Sequence, residues 1–236
     1  MNIRPLKWDS DFFKIKIARI DVDSSDNESD VKRIISNVES EFDLIYIFGG
    51  EDLELEQNDN CRLVDEKVVY AGSLKDELID FSGIKEYVDD SPCSQLYNLS
   101  FISGKYSRYK KDTKFRNGDF ERLYGKWIEN SVNKTFADKV LCYYDEKNVI
   151  KGMVTVKFSD NVCSIGLIAV DNDCQSKGIG KKLMAAVRNE MCLNKLKYIE
   201  VATQMDNIIA SSFYESFGLK VKNITRVYHY WLRKNA

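Results

Sequence analysis

Two glycines and three lysines lie in Gln175-Ser176-Lys177-Gly178-Ile179-Gly180-Lys181-Lys182-Leu183, just after the apolar run Ile168-Ala169-Val170. From Ile179 the apolar residues recur at Leu183, Met184, Val187 and Met191, which is the spacing of a helix face. The segment therefore reads as strand, turn and helix start. Gly178 and Gly180 allow positive φ and close approach of a ligand, and the free N–H groups of a helix start form a concave nest for anionic oxygen. The chemistry this suits is phosphate binding. No G-x-x-x-x-G-K-[ST] is present, and Leu183 stands where G-x-G-x-x-G requires its third glycine, so neither the nucleoside-triphosphate loop nor the dinucleotide fingerprint applies.

A second group of reactive residues follows. Asn207, Ala210 and Tyr214 share one helical stripe, beside the apolar stripe Ile209, Phe213 and Phe217. Tyr214 is either a proton donor or an ordinary half-buried helix tyrosine. Between Lys105 and Arg116, six cations interleave with Tyr106, Tyr109 and Phe115. Cations among aromatics suit a nucleotide, diphosphate on the cations and base on a ring; a solvated loop is the competing reading. His229, the sole histidine, sits mid-strand in Val227-Tyr228-His229-Tyr230-Trp231 and reads as structural. The six cysteines form no C-x-x-C pair, which argues against a metal site and against a disulfide framework. Cys174 adjoins the glycine turn and reads as a small structural residue.

These residues need a scaffold, and the periodicity supplies one. Strands are expected over Phe13–Val22, Asp43–Phe48, Arg62–Ala71, Gln95–Phe101, Val140–Tyr144, Val149–Phe158, Cys163–Val170 and Tyr198–Thr203. Helices are expected over Ser29–Ser40, with Val31, Ile34, Ile35 and Val38 on one face, over Phe120–Val132, from Ile179, and from the Asp206-Asn207 cap to Gly218. Turns fall at Asp145–Asn148 and Ser159–Asn161. Leu219–Val221 and Thr225–Leu232 read as a closing hairpin, whose Tyr228, Tyr230 and Trp231 either pack the sheet or offer a homodimer seam. The class is α/β (α+β), with a small β-α-β unit first.

Composition bounds the rest. A chain of 236 residues, 44% hydrophobic and 31% charged, can build a sizeable core and two unequal parts. A net charge of −2 argues against a nucleic-acid partner. No apolar run of signal or membrane-spanning length appears, so the expectation is a cytoplasmic protein without a membrane partner.

The stretch Ile168–Leu183 resembles the acyl-CoA pyrophosphate loop of the GNAT (Gcn5-related N-acetyltransferase) superfamily, usually V-D-P-x-x-[QR]-G-x-G-x-G. Asn172 replaces the common proline and Ser176 the common first glycine; neither change removes the backbone N–H groups. Asn-x-x-Ala-x-x-x-Tyr at Asn207–Tyr214, followed by Phe217-Gly218, is similar to the GNAT segment that runs beside pantetheine. The opening Pro5-Leu6-Lys7-Trp8-Asp9-Ser10-Asp11-Phe12-Phe13 resembles that of the bipartite GNAT enzymes that acylate dTDP-linked 4-amino- or 3-amino-deoxyhexoses. Read without that resemblance, Trp8, Phe12 and Phe13 are a hydrophobic anchor.

The resemblance implies a mixed, mostly antiparallel twisted sheet with flanking helices. It also implies an N-terminal domain over 1–92 contributing to an acceptor site and an acyl-CoA domain over 93–236. Acyl-CoA, acetyl or 3-hydroxybutanoyl, would be held by Ile168, Ala169, Val170, Gln175, Ser176, Lys177, Gly178, Ile179, Gly180, Lys181, Lys182, Asn207 and Ala210. Tyr214 would protonate the leaving thiolate, and a strand N–H from Leu167 to Ala169 would receive the oxyanion. Arg108, Tyr109, Arg116, Trp8 and Phe12 are the candidates for the nucleotide-linked amino sugar. No residue stands out as a general base, and no metal is implied. Two other functions stay open: acetylation of a protein, peptide or antibiotic amine, and noncatalytic acyl-CoA binding.

Overall fold

Alternating and continuous apolar runs build one sheet, and helices with apolar stripes cover its faces. The computed structural model describes residues 1–38, 40–74 and 80–232. In chain order the first elements are β1 (Ile3–Pro5), α1 (Lys7–Phe13), β2 (Ile17–Asp21), α2 (Glu28–Val38), β3 (Leu44–Gly49), β4 (Cys61–Gly72) and β5 (Ile84–Glu86). They are followed by α3 (Ser94–Ser103), α4 (Arg108–Lys111), α5 (Asp119–Val132), β6 (Lys139–Tyr144), β7 (Ile150–Ser159) and β8 (Val162–Val170). A short 3₁₀ turn at Asn172–Cys174 precedes α6 (Ile179–Leu193), β9 (Tyr198–Gln204), α7 (Ile208–Ser216) and β10 (Lys220–Trp231).

The ten strands form one sheet in the order β1-β2-β3-β10-β4-β9-β8-β7-β6-β5. Only the β2·β3 and β8·β9 pairs are parallel, so the sheet is mixed and mostly antiparallel, flanked by helices as a GNAT fold requires. The β2-α2-β3 unit is the expected β-α-β, with Val31 and Ile35 buried against Ala18, Ile20, Ile45 and Ile47. β4 comes from the N-terminal part of the chain yet lies between β10 and β9. One face of the C-terminal half packs Ile179, Leu183, Met184 and Val187 of α6 and Tyr214 of α7 against Val154, Val156, Ile165 and Val201. The other face packs Leu96 and Leu99 of α3 and Phe120, Tyr124 and Ile128 of α5 against Met153, Leu167 and Ala169.

Several elements differ from their sequence readings. Gln95–Phe101, expected as a strand, lies in α3; Leu96, Leu99 and Ser100 are its buried residues, and that spacing of three and four outweighs the superficial alternation. Phe13–Val22, expected as a strand, is divided. Phe13 ends α1, Lys14 turns the chain at φ 60°, and only Ile17–Asp21 is extended. Ser10 fixes the corner: its Oγ donates to Leu6 O at 2.7 Å and accepts from Ile17 N at 2.9 Å. The helix expected over 29–40 runs Glu28–Val38, and residue 39 lies outside the described residues.

The closing hairpin is a single long strand, β10, pairing with β4 along most of its length and with β3 through Arg226–Trp231. Asn223, between the two expected hairpin strands, sits at a register irregularity against β4. Both edges of β10 are thus occupied, and Tyr228 and Trp231 are buried in the chain's own core.

Candidate active site

Strands β8 and β9 pair in parallel only from Val162↔Tyr198 to Ile165↔Val201. Beyond that point β8 stays with β7, through Ile168↔Val154 to Val170↔Gly152, while β9 stays with β4, through Val69↔Ala202 to Lys67↔Gln204. The two strands splay into a wedge. The irregularity that lets β8 leave is at Gly166 and Leu167, opposite Thr155, where pairing shifts between Val154 and Val156. A Cβ on Gly166 would meet Thr155 Oγ1 at 2.9 Å, and the same Oγ1 accepts from Leu167 N at 2.8 Å.

Strand geometry then assigns the backbone donors. Asp171 N donates to Lys151 O of β7 at 2.9 Å, and Leu167 N is taken by Thr155. Because N–H groups alternate between the two edges of a strand, those of Ile168 and Val170 point into the wedge. Of the N–H groups from Leu167 to Ala169, that of Ile168 faces the wedge, and those of Leu167 and Ala169 face β7.

A cleft of about 840 Å³ fills the wedge. One end is the glycine turn, with Lys181 beside it. Ser176 and Gly178 hold φ of 61° and 81°, and α6 begins at Ile179, a left-handed turn into a helix start of the kind that gathers backbone N–H groups into a nest. Asp171 organises the approach: one carboxylate oxygen accepts from Asp173 N at 3.2 Å and the other pairs with Lys151 at 3.0 Å. Gly180, unlike Gly178, does not take a positive φ; a Cβ there would meet the Phe213 ring at 3.2 Å, so that ring would have to give by a few tenths of an ångström.

The middle of the cleft is bounded by α7. Asn207 caps the helix, its Oδ1 accepting from Ala210 N at 3.4 Å while Nδ2 donates to Thr203 Oγ1 at 3.1 Å. Tyr214 is 3% exposed, tilts against Tyr70 at 5.8 Å and lines the cleft. Burial pushes its phenol well above the ordinary tyrosine range, so it keeps its proton.

The far end is polar and aromatic. Arg108 projects from α4 with its guanidinium over the rings of Tyr109 at 4.5 Å and Tyr46 at 4.9 Å, and it donates to Tyr109 Oη at 2.6 Å. Asp65 of β4 lines the same end. Burial pushes its carboxyl up to about 6, against the opposing pull of Arg108 and Lys111. Asp65 Oδ1 and Arg108 Nε are buried and have no hydrogen-bond partner among the described residues. Buried polar atoms without partners are rare in a finished core, and here both sit in the wall of one cleft.

Ile168, Ala169, Val170, Gln175, Ser176, Gly178, Ile179, Gly180, Lys181, Asn207, Ala210, Tyr214, Arg108 and Tyr109 all line this cleft. Lys177, Lys182, Arg116, Trp8 and Phe12 do not. Lys182 pairs with Asp80 at 3.1 Å. Trp8 stacks on Phe12 at 5.0 Å, and the stack reaches the cleft only through Phe13 against Tyr109. Asp65, Lys67, Tyr124, Trp127 and Gln204 also line it and were not legible as site residues. Asp65-Glu66-Lys67 interrupts the apolar runs of β4, and nothing in that charged triplet singles out Asp65.

His229 is structural. It is fully buried, its Nδ1 lies 2.6 Å from Asp112 Oδ2, and Trp231 Nε1 donates to the same oxygen at 2.9 Å. Burial pushes its pKa down to about 4, with Asp112 opposing, so the ring is neutral and donates through Nδ1. Among the described residues no cluster of three or more His, Cys, Asp or Glu could hold a metal, and no helix is long and apolar enough to cross a membrane.

Residues 103–219 match the acetyltransferase (GNAT) family. Among curated proteins, the spore coat polysaccharide biosynthesis protein SpsD of Bacillus subtilis is 24% identical over 154 residues, covering 65% of this chain and 52% of SpsD. The uncharacterized protein YxbD of the same organism is 30% identical over 80 residues, covering 34% of this chain and 49% of YxbD. The chain thus spans about half the length of the curated relatives it matches. A GCN5-related N-acetyltransferase structure from Sphaerobacter thermophilus superposes with a TM-score of 0.54 at 15% identity, over 82% of this chain and 61% of that one.

Proposed function

We propose, from the match of residues 103–219 to the acetyltransferase (GNAT) family, that the protein moves an acyl group from acyl-CoA to the amine of a dTDP-linked 3-amino- or 4-amino-6-deoxyhexose. The product would enter a bacterial surface glycan. The observation that carries this reading is the single cleft that joins an anion-binding glycine turn, a buried tyrosine and a polar, aromatic end at Arg108 and Tyr109. The similarity to SpsD, a spore coat polysaccharide biosynthesis protein, supports a sugar-linked acceptor.

In this reading the turn at Ser176–Gly180 takes the CoA pyrophosphate, and pantetheine lies in the wedge against β8. The thioester carbonyl sits by Ile168, whose N–H receives the oxyanion as charge develops. The neutral amine attacks from the Arg108 end, the C–S bond breaks, and Tyr214 gives its proton to sulfur. An ordinary thiol near ~8.5 would need little help from a phenol near ~10. Burial holds the Tyr214 phenol well above the ordinary tyrosine range, so it keeps its proton until the thiolate forms to receive it. At the acceptor end, Arg108 and Tyr109 offer a cation and a ring to the nucleoside diphosphate, and the N-terminal part contributes Asp65 and Lys67.

The test is release of free CoA thiol from acetyl-CoA or 3-hydroxybutanoyl-CoA with and without dTDP-3-amino and dTDP-4-amino-6-deoxysugars, beside a panel of peptide and antibiotic amines. Release that depends on one dTDP sugar is expected. Release with a peptide or antibiotic amine alone would transfer the reading to that acceptor.

A further inference from the structure

We propose that Asp65 is the group that takes the proton from the acceptor amine, a role that rests on the acyl-transfer reading above. β4 is interior to the sheet, and its pairing with β9 begins only at Lys67↔Gln204. Asp65 therefore lies two residues past the end of that ladder, opposite Val227 of β10, where β9 gives way to the turn before α7. There its side chain enters the wall of the cleft that also holds Tyr214 and Ile168.

Its surroundings give it one side-chain hydrogen bond, with Gln204, and leave the other carboxylate oxygen free. Asp65 is 6% exposed, and its Oδ1 has no hydrogen-bond partner among the described residues. The charged and polar groups acting on it are Arg108 and Lys111 of α4, Asp206 of the turn before α7 and Gln204 of β9. Arg108 donates to Tyr109 at 2.6 Å through one terminal nitrogen and leaves its Nε without a partner among the described residues, and Lys111 pairs with Asp206 at 2.6 Å. Among the described residues no cation closes a salt bridge on Asp65. An ammonium ion in the cleft would supply one.

The chemistry follows from basicity. An amine with a pKa near ~8 is largely protonated at neutral pH and must lose a proton before it can attack. Transfer to an ordinary aspartate at ~3.9 is uphill by about 10⁴-fold, whereas transfer to a carboxyl at about 6 is uphill by about 100-fold. In the full step, the Asp65 carboxylate takes one N–H proton from R–NH₃⁺. The freed lone pair forms the N–C bond, the C–S bond breaks, and Tyr214 supplies the proton that makes the thiol. A second proton leaves nitrogen and restores Tyr214, and Asp65 returns its own to solvent. One proton is released per amide formed.

The experiment compares wild type, Asp65→Asn and Asp65→Glu on whichever amine the wild type acylates, with kcat/KM followed across pH and acyl-CoA affinity measured separately. Asp65→Asn is expected to lower kcat/KM by about 10²- to 10⁴-fold near neutral pH, to leave acyl-CoA binding unchanged, and to recover activity as rising pH supplies neutral amine. Asp65→Glu should restore part of the rate. A loss in Asp65→Asn that is the same at every pH would make Asp65 a positioning residue and overturn the proposal, as would activity within a few-fold of wild type. If the wild type acylates a non-sugar amine, the sugar reading fails and the Asp65 test proceeds on that amine. If it acylates no amine while binding acyl-CoA, both fail.

Discussion

Replacing Asp65 by asparagine should make the folded protein more stable, and the gain should depend on pH in a defined way. In the unfolded chain this carboxyl titrates near ~3.9; in the fold burial pushes it up to about 6. A group whose folded pKa is raised stabilises the fold fully below its unfolded pKa and loses that contribution as pH rises through the folded value. For Asp65 the window runs from about 4 to about 6, and across about two pH units the wild type loses on the order of 3 kcal/mol. Asparagine is nearly isosteric and carries no charge to desolvate. Relative to wild type, Asp65→Asn should gain about 2–3 kcal/mol at pH 8, shrinking toward zero near pH 4. His229, held down to about 4, opposes this trend in both proteins and cancels in the difference. Urea denaturation of both proteins at several pH values measures it directly. A variant no more stable than wild type at pH 8, or a difference that does not change with pH, would refute the reasoning.

Three further outcomes follow from the cleft. Tyr214→Phe should lower turnover by about 10- to 1,000-fold with acyl-CoA affinity retained in calorimetric titration; full activity would remove Tyr214 from the mechanism. Gly178→Ala should cost about 1–2 kcal/mol because φ is 81°, seen by urea denaturation. With nothing within 4 Å of the added Cβ, the loss is conformational, and acyl-CoA binding should weaken as the turn relaxes. Thr155→Val removes the acceptor for Leu167 N and should destabilise by about 1–3 kcal/mol, with thermal denaturation as the readout.

The glycine turn, α6, β9 and α7 were legible because their signals are local: a positive-φ glycine, a 3.6-residue stripe and an asparagine cap. The wedge was not. Whether β8 pairs with β9 beyond Ile165 depends on which strands lie outside them, and β4 comes from the other end of the chain. The same non-local fact hid Asp65, whose burial follows from the place of β4 inside the sheet. Gln95–Phe101 fits either period, and packing of Leu96 and Leu99 against β8 decided for a helix. In the cationic stretch from Lys105 to Arg116, composition was visible but direction was not. Arg108 and Tyr109 face inward, while Lys110 and Lys111 pair at the surface with Glu121 and Asp206.

The most direct measurement is mass spectrometry of the sugar nucleotide after incubation of the protein with acyl-CoA and each dTDP-amino-6-deoxyhexose. One acyl group on the sugar nitrogen, with an equal amount of free CoA, is the predicted result. An unmodified sugar alongside bound acyl-CoA would contradict the acceptor assignment.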